Sequence, residues 1–269
     1  MKKIFALVLA LLMVLSMTAC GAKKADSDAA YIEGNGKMVI GYTIYEPMNY
    51  FDENGDFTGF DTEFAKAVCE KLGVEPEFVE IVWDTKEIEL NAKSIDCIWN
   101  GMTITEERQE TMSISLPYVK NAQVVVVKAD SAVASTADLI GKTVVAEIGS
   151  AGEAQIQGED ANADLAQATY VGMAKQTDCL MEIKAGTADA AVLDWTLAKS
   201  MVGEGTDFAD LKMVDGLERA AEEYGIAFRK GSDFTAKVDT AINALVADGT
   251  LPALAEKYGL ALAPAIAGN

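Results

Sequence analysis

The chain is 269 residues long and half hydrophobic, with 22 basic against 42 acidic side chains and a formal net charge of −20. Its length admits one large domain or two smaller lobes, and its charge disfavours nucleic acid, whose phosphates need Lys and Arg. It has no histidine, which excludes His-ligated metal sites and His-based catalytic triads.

The start, Met1-Lys2-Lys3, leads into an apolar run from Ile4 to Met17 and then Thr18-Ala19-Cys20. This is the pattern of a secretory signal, too short to span a bilayer. The small pair before Cys20 resembles a bacterial lipobox, with Met17 where leucine is usual. The resemblance implies that residues 1–19 are removed and that Cys20 carries a lipid anchor. It places the protein outside the cytoplasm, on the outer face of the cytoplasmic membrane or in the periplasm. Simple secretion with an ordinary thiol at Cys20 is the alternative. Residues 20–30, small and polar, read as a flexible tether, so the folded part is expected from about Tyr31.

Gly34-Asn35-Gly36 reads as a turn rather than a phosphate loop, and residues 37–42 as a strand. Asn54-Gly55 marks another turn. A helix is expected from Phe60-Asp61, with Asp61 as its N-cap, Phe64, Val68 and Leu72 on one face, and Gly73 as its stop. Strands at 77–81 and 95–99 flank a short helix at 86–92. A second series follows: strands at 123–128 and 143–146, a glycine-flanked turn at 149–153, a strand at 169–171, a helix at 176–185, a strand at 189–193 and a helix at 195–201. A last strand at 224–228 precedes helices at 235–247 and 252–258. Strand and helix alternate in both halves, which implies parallel pairing in an α/β fold.

The expected assembly is two α/β lobes joined by a two-segment hinge. Residues 31–117 with 225–269 form the first lobe and 123–219 the second, with crossings at 118–122 and 220–224. A cleft between lobes is a binding site. Beyond Cys20, Cys69, Cys97 and Cys179 make no disulfide framework at their wide spacings and read as buried thiols.

Two side chains suit charged groups of a ligand. Arg108 follows a buried strand and opens a helix with Thr105 as its cap; a guanidinium can meet a carboxylate through two parallel hydrogen bonds. Asp194 ends a buried strand, where ligands of open α/β sheets bind. It could also cap the helix after it. Ser150 and Ala151 sit at a helix start behind Gly149, where free amides attract a carboxylate.

Five stretches carry a wider resemblance: Gly59-Phe60-Asp61-Thr62-Glu63-Phe64-Ala65-Lys66-Ala67-Val68, Thr103-Ile104-Thr105-Glu106-Glu107-Arg108, Ala227-Phe228-Arg229-Lys230-Gly231, Ala247-Asp248-Gly249-Thr250-Leu251 and Lys257-Tyr258-Gly259. Together, and in this order, they resemble the polar amino-acid-binding proteins of ABC transporters. The resemblance implies a type II periplasmic-binding-protein-like fold and an extracytoplasmic receptor. That receptor captures a small polar amino acid and delivers it to an ABC transporter permease, as a monomer without cofactor or metal. It implies that Arg108 takes the α-carboxylate, helped by the Thr103 hydroxyl and by the turn at Ser150 and Ala151. Asp194 and the Gly101 carbonyl would take the ammonium, and Tyr45 and Trp83 would flank the side chain. Many relatives carry an acid where this chain has Thr43; here Glu147 stands where it can face the side-chain end, with Glu46 as another nearby acid. An acid there favours a cationic or amide-bearing ligand. Two alternatives remain: an enzyme on the same fold, like the cyclohexadienyl dehydratases, with Glu147 or Glu46 as general acid, and a sensor ectodomain.

Overall fold

The computed structural model describes residues 27–159, 161–217 and 221–267. The expected signal, Cys20 and most of the expected tether lie outside them. Two sheets carry the fold.

The first sheet holds β1 (Lys37–Tyr42), β4 (Glu75–Glu80), β5 (Cys97–Thr103), β6 (Met112–Ile114) and β13 (Glu222–Arg229) in the order β4-β1-β5-β13-β6, with β7 (Val119–Asn121) also on β13. β1 pairs parallel with β4 and β5, while β13 runs antiparallel to β5, β6 and β7. The second sheet takes β8 (Gln123–Lys128), β9 (Thr143–Glu147), β10 (Thr169–Met173), β11 (Ala190–Asp194) and β12 (Leu211–Met213) in the order β10-β9-β11-β8-β12. A small ribbon, β2 (Tyr50–Phe51) with β3 (Phe57–Thr58), lies apart.

Helices cover the sheets, as parallel strands buried on both faces require. Against the first sheet lie α2 (Phe60–Leu72), α3 (Lys86–Asn91), α8 (Phe234–Ala247) and α9 (Thr250–Lys257); against the second lie α5 (Ala151–Gln157), α6 (Gln176–Ala185) and α7 (Trp195–Met201). The first core centres on Phe64, whose ring meets Trp99 edge-on at 5.0 Å and Tyr118 at 5.5 Å. In the second, Val125 and Val127 of β8 pack with Val144, Ile156 and Val192. Cys69, Cys97 and Cys179 are buried free thiols. No helix among the described residues is long and apolar enough to cross a membrane.

The chain leaves the first sheet between β7 and β8 and returns on β13. The outgoing and returning segments pair with each other, Glu222 with Asn121 and Tyr224 with Val119.

Three local expectations change. The tether ends sooner than its composition suggests, because α1 (Asp28–Asn35) begins at an N-cap on Ser27, whose hydroxyl accepts from the Ala30 amide at 3.0 Å. What holds α1 is distant in sequence: the Asp28 carboxylate takes Arg229 Nε at 2.8 Å, and Arg229 Nη2 reaches Asp96 at 3.0 Å. Gly34-Asn35 is therefore the last turn of a helix, with Gly36 closing it at φ 68°. Asp61 is not an N-cap. α2 starts one residue earlier, after Gly59, and the Asp61 carboxylate is buried, accepting from the Gly101 amide at 2.7 Å and the Tyr118 hydroxyl at 2.9 Å.

Candidate functional site

The carboxyl ends of β5, β9 and β11 converge on one cavity between the two sheets. Tyr45, Trp83, Gly101, Thr103 and Arg108 border it from the first lobe, and Glu147, Ser150, Ala151 and Asp194 from the second.

Arg108 stands in α4 (Glu106–Thr111), whose N-cap Thr105 accepts the Arg108 amide at 3.1 Å. That cap fixes the first turn and sends the side chain back over the end of β5. The buried guanidinium donates through Nη1 to the Thr103 carbonyl at 2.6 Å and through Nη2 across the cleft to the Gly149 carbonyl at 3.0 Å. Trp83 Nε1 and Lys86 Nζ reach the same carbonyl, each at 3.1 Å. Three first-lobe donors thus meet one second-lobe oxygen. Lys86 and Arg108 also share the Trp83 ring, Nζ lying 4.8 Å and Cζ 6.0 Å from its centre.

Asp194 closes β11. Its carboxylate does not cap α7; Oδ1 accepts from Asn121 Nδ2 and Gln123 Nε2, both at 2.6 Å, and Oδ2 accepts a short bond from Gln176 Nε2. Burial raises its pKa, and those donors and Arg108 oppose the shift. The Thr103 hydroxyl, expected to face a ligand carboxylate, donates instead to Glu222 Oε1 at 2.9 Å. Its strand pairing brings Tyr224 opposite Thr103, which sets Glu222 beside it.

Gly101 turns at φ 56°, and a Cβ there would lie 2.7 Å from the Tyr45 ring. Its amide is anchored by Asp61, so only glycine lets β5 end against that aromatic wall. Tyr45 is held from behind by a hydroxyl–hydroxyl bond to Tyr224. Ser150 caps α5, its hydroxyl taken by the Glu153 amide at 3.1 Å. Its own amide is not free as expected, since it donates to the Glu147 carbonyl at 3.2 Å in a tight turn. Ala151 follows as the first residue of the helix, where an amide has no intrahelical acceptor.

Glu147 closes β9. Only 4% exposed, it borders the cavity, and no hydrogen-bond donor among the described residues reaches its carboxyl. Burial first, and then Asp194, push its pKa up to about 8, against the pull of Lys86. Glu46 lies outside this cavity, accepting from Ser200 of α7 at 3.0 Å. Among the described residues no His, Cys, Asp or Glu cluster could hold a metal ion.

Sequence reasoning missed Lys86, Asn121, Gln123, Gln176 and Glu222. Lys86 is 5% exposed, and burial, then Arg108, bring its pKa down to about 8. A buried lysine in a short polar helix leaves no periodic signal. The other four gain meaning only once the crossing strands lie beside the end of β11.

Comparisons with known proteins give the family and the fold. The profile of the bacterial extracellular solute-binding proteins, family 3, matches residues 38–261. The arginine-binding extracellular protein ArtP of Bacillus subtilis (strain 168) is 31% identical over 261 residues, covering 96% of this chain and 98% of its own. The crystal structure of the P235GK mutant of ArgBP from T. maritima superposes with a TM-score of 0.78 at 35% identity, over 86% of this chain and 99% of that one. A substrate-binding protein of an ABC uptake transporter from Streptococcus pneumoniae, solved with bound histidine, gives a TM-score of 0.78 at 28% identity, over 87% and 97%.

Proposed function

The chain belongs to the bacterial extracellular solute-binding proteins, family 3, and from that premise we propose that it is the lipid-anchored receptor of an ABC importer, closing its two lobes on a polar L-amino acid. One observation carries the reading. A buried cation of the first lobe, Arg108, and a buried anion of the second, Asp194, border one cavity. Buried charges are costly unless paired, and a zwitterion offers a partner to each.

In this reading the α-carboxylate meets the Arg108 guanidinium and the Ala151 amide. The ammonium lies between the Asp194 carboxylate and the Gly101 carbonyl. The side chain runs between Tyr45 and Trp83 towards Glu147, where a cationic or amide-bearing end finds an acceptor. An arginine-binding relative and a similar structure with bound histidine support that choice of side chain. Because the ligand's charges touch both lobes, its binding energy adds to the closed form and not to the open one. The paired crossing segments, 118–122 and 220–224, serve as the hinge. Cys20 holds the protein at the membrane, where it hands the amino acid to the permease.

The test is a thermal-shift screen of the common amino acids followed by calorimetry. One or a few polar amino acids should raise the melting point with the logarithm of their concentration. A flat response to all of them overturns the reading. Recovery of the tight ligand unchanged after long incubation separates a receptor from an enzyme.

A further inference from the structure

Glu222 does not border the cavity, yet its carboxylate is joined to that of Asp194. The Asn121 side-chain nitrogen lies 2.6 Å from both Asp194 Oδ1 and Glu222 Oε1, and the Gln123 nitrogen lies 2.6 Å from the first and 2.7 Å from the second. Each amide nitrogen has two protons, one for each acid. The orientation of Asn121 is fixed from behind, since its oxygen accepts from the Thr196 amide at 3.2 Å and the Thr196 hydroxyl at 3.0 Å. Glu222 Oε1 takes a third donor, the Thr103 hydroxyl. Three donors converging on one oxygen favour the ionised carboxyl, and this oxygen and Asp194 Oδ1 are no more than two hydrogen-bond lengths apart.

We propose that Glu222 is a positioning residue for the ammonium site: through Asn121 and Gln123 it sets a second negative charge behind Asp194, so that the pair draws in a cationic amine and weakens its hold when it gains a proton. The proposal rests on the amino-acid reading above. Like charges this close cost energy at low dielectric, and a cation arriving at Asp194 offsets that cost. The groups that face the pair are Arg108 from α4, which favours both anions, the phenols of Tyr45 and Tyr224, both held neutral by burial, and Glu147 at the end of β9, pushed up to about 8 by burial and then by Asp194 and present alike in wild type and in the Glu222 variants. Burial and the Asp194 charge push Glu222 up to about 6. The sign is that of a raised carboxyl: the pair collects a proton as pH falls through about 6, and ammonium affinity falls with it. The location adds a mechanical role. Asn121 and Glu222 pair on the two strands that cross between the lobes, Gln123 opens β8, and Asp194 ends β11. A change of charge at the amine is thereby felt at the crossing itself.

The test uses the full mature chain, with L-arginine and L-glutamine as probes, in wild type, Glu222→Gln and Glu222→Asp. Glu222→Gln keeps the accepting oxygen and the shape, so Asn121, Gln123 and Thr103 retain their partner. Carbon-13 NMR of the carboxyl groups, without any probe, should show Asp194 titrating lower in Glu222→Gln than in wild type. At pH 7.5 the variant should bind the probe about tenfold more weakly, the factor that goes with one pKa unit, and near pH 5 the two proteins should converge. Glu222→Asp, charged but shorter, should keep the wild-type pH profile. An unmoved Asp194 titration, or an affinity ratio flat from pH 5 to 8 while wild type binds, overturns the positioning role alone. No binding of either probe or of any common amino acid by wild type overturns the amino-acid reading and the positioning role together.

Discussion

Arg108 and Gly149 join the two lobes: the guanidinium of the first donates at 3.0 Å to the carbonyl of the second. The same Arg108 spends a second nitrogen on the Thr103 carbonyl behind it. The side chain is thus aimed by its own lobe and engaged by the other.

On the proposed reading Arg108→Ala removes the ligand carboxylate's partner, and it takes a donor from the Thr103 carbonyl while Trp83 and Lys86 still serve that of Gly149. Calorimetry should show affinity for the cognate amino acid falling at least ~100-fold, the order expected when a buried charge pair loses one member. Arg108→Lys keeps a charge but loses the planar fork and should recover only part of it. Near-wild-type affinity in Arg108→Ala would remove this residue from the site.

Glu147 carries its proton at neutral pH, with a pKa pushed up to about 8. A cationic side chain docking beside it would favour the charged form and release that proton. Titrating a cationic amino acid at pH 7 in buffers of different ionisation enthalpy should therefore give different apparent heats, with up to about one proton released. Glu147→Gln should make the heats buffer-independent and lower the affinity for cationic ligands. A wild-type heat that ignores the buffer would count against this contact.

Asp61, Glu147 and Glu222 all hold their protons more tightly folded than a free carboxyl does, near 7, 8 and 6, with burial as the first cause for each. Between about pH 4.5 and 8 these groups make the folded chain bind more protons than the unfolded one, so they add stability as pH falls and withdraw it as pH rises. The ligand-free protein should melt higher at pH 5 than at pH 8, each kcal/mol moving the midpoint by about 2–4 °C. Asp61→Asn, which removes one of the three, should narrow that difference.

Gly101→Ala places a methyl carbon 2.7 Å from the Tyr45 ring at a φ of 56°. The expected cost is about 1–3 kcal/mol of stability from overpacking alone, together with a weaker ligand because the wall must shift. Unfolding in urea with and without amino acid measures both.

If Cys20 is acylated as proposed, Cys20→Ser should move the protein from the membrane fraction to the medium or periplasm, since acyl chains would supply its membrane affinity. Retention on membranes by the variant would refute lipidation.

Much of this was open to reading along the chain. Gln123–Lys128, an uninterrupted run of valines, is a buried strand by composition alone. Asp194 ends such a strand and Arg108 lies in the helix that follows one, where backbone direction already says what lies ahead. Glu222 and Lys86 were not, because an acid near a crossing and a lysine in a polar helix look solvated until the opposite lobe covers them. The α1 helix was hidden for another reason: Asp28 depends on Arg229, 201 positions away, and local composition carries no trace of that bond. Asp61 looked like a cap because helix starts favour Asp; the Gly101 amide outbid that local role.

The helix pinned by Asp28 also limits how far the body can stray from a lipid. Seven links separate Cys20 from Ser27, the N-cap of α1, and at full extension they reach no more than about 25 Å. An acylated Cys20 would therefore keep the body on a short leash, with the α1 edge nearest the bilayer. Lengthening the leash with Gly-Ser repeats would loosen that orientation, so transport rate against inserted length would show how far delivery depends on presenting one side of the body to the membrane.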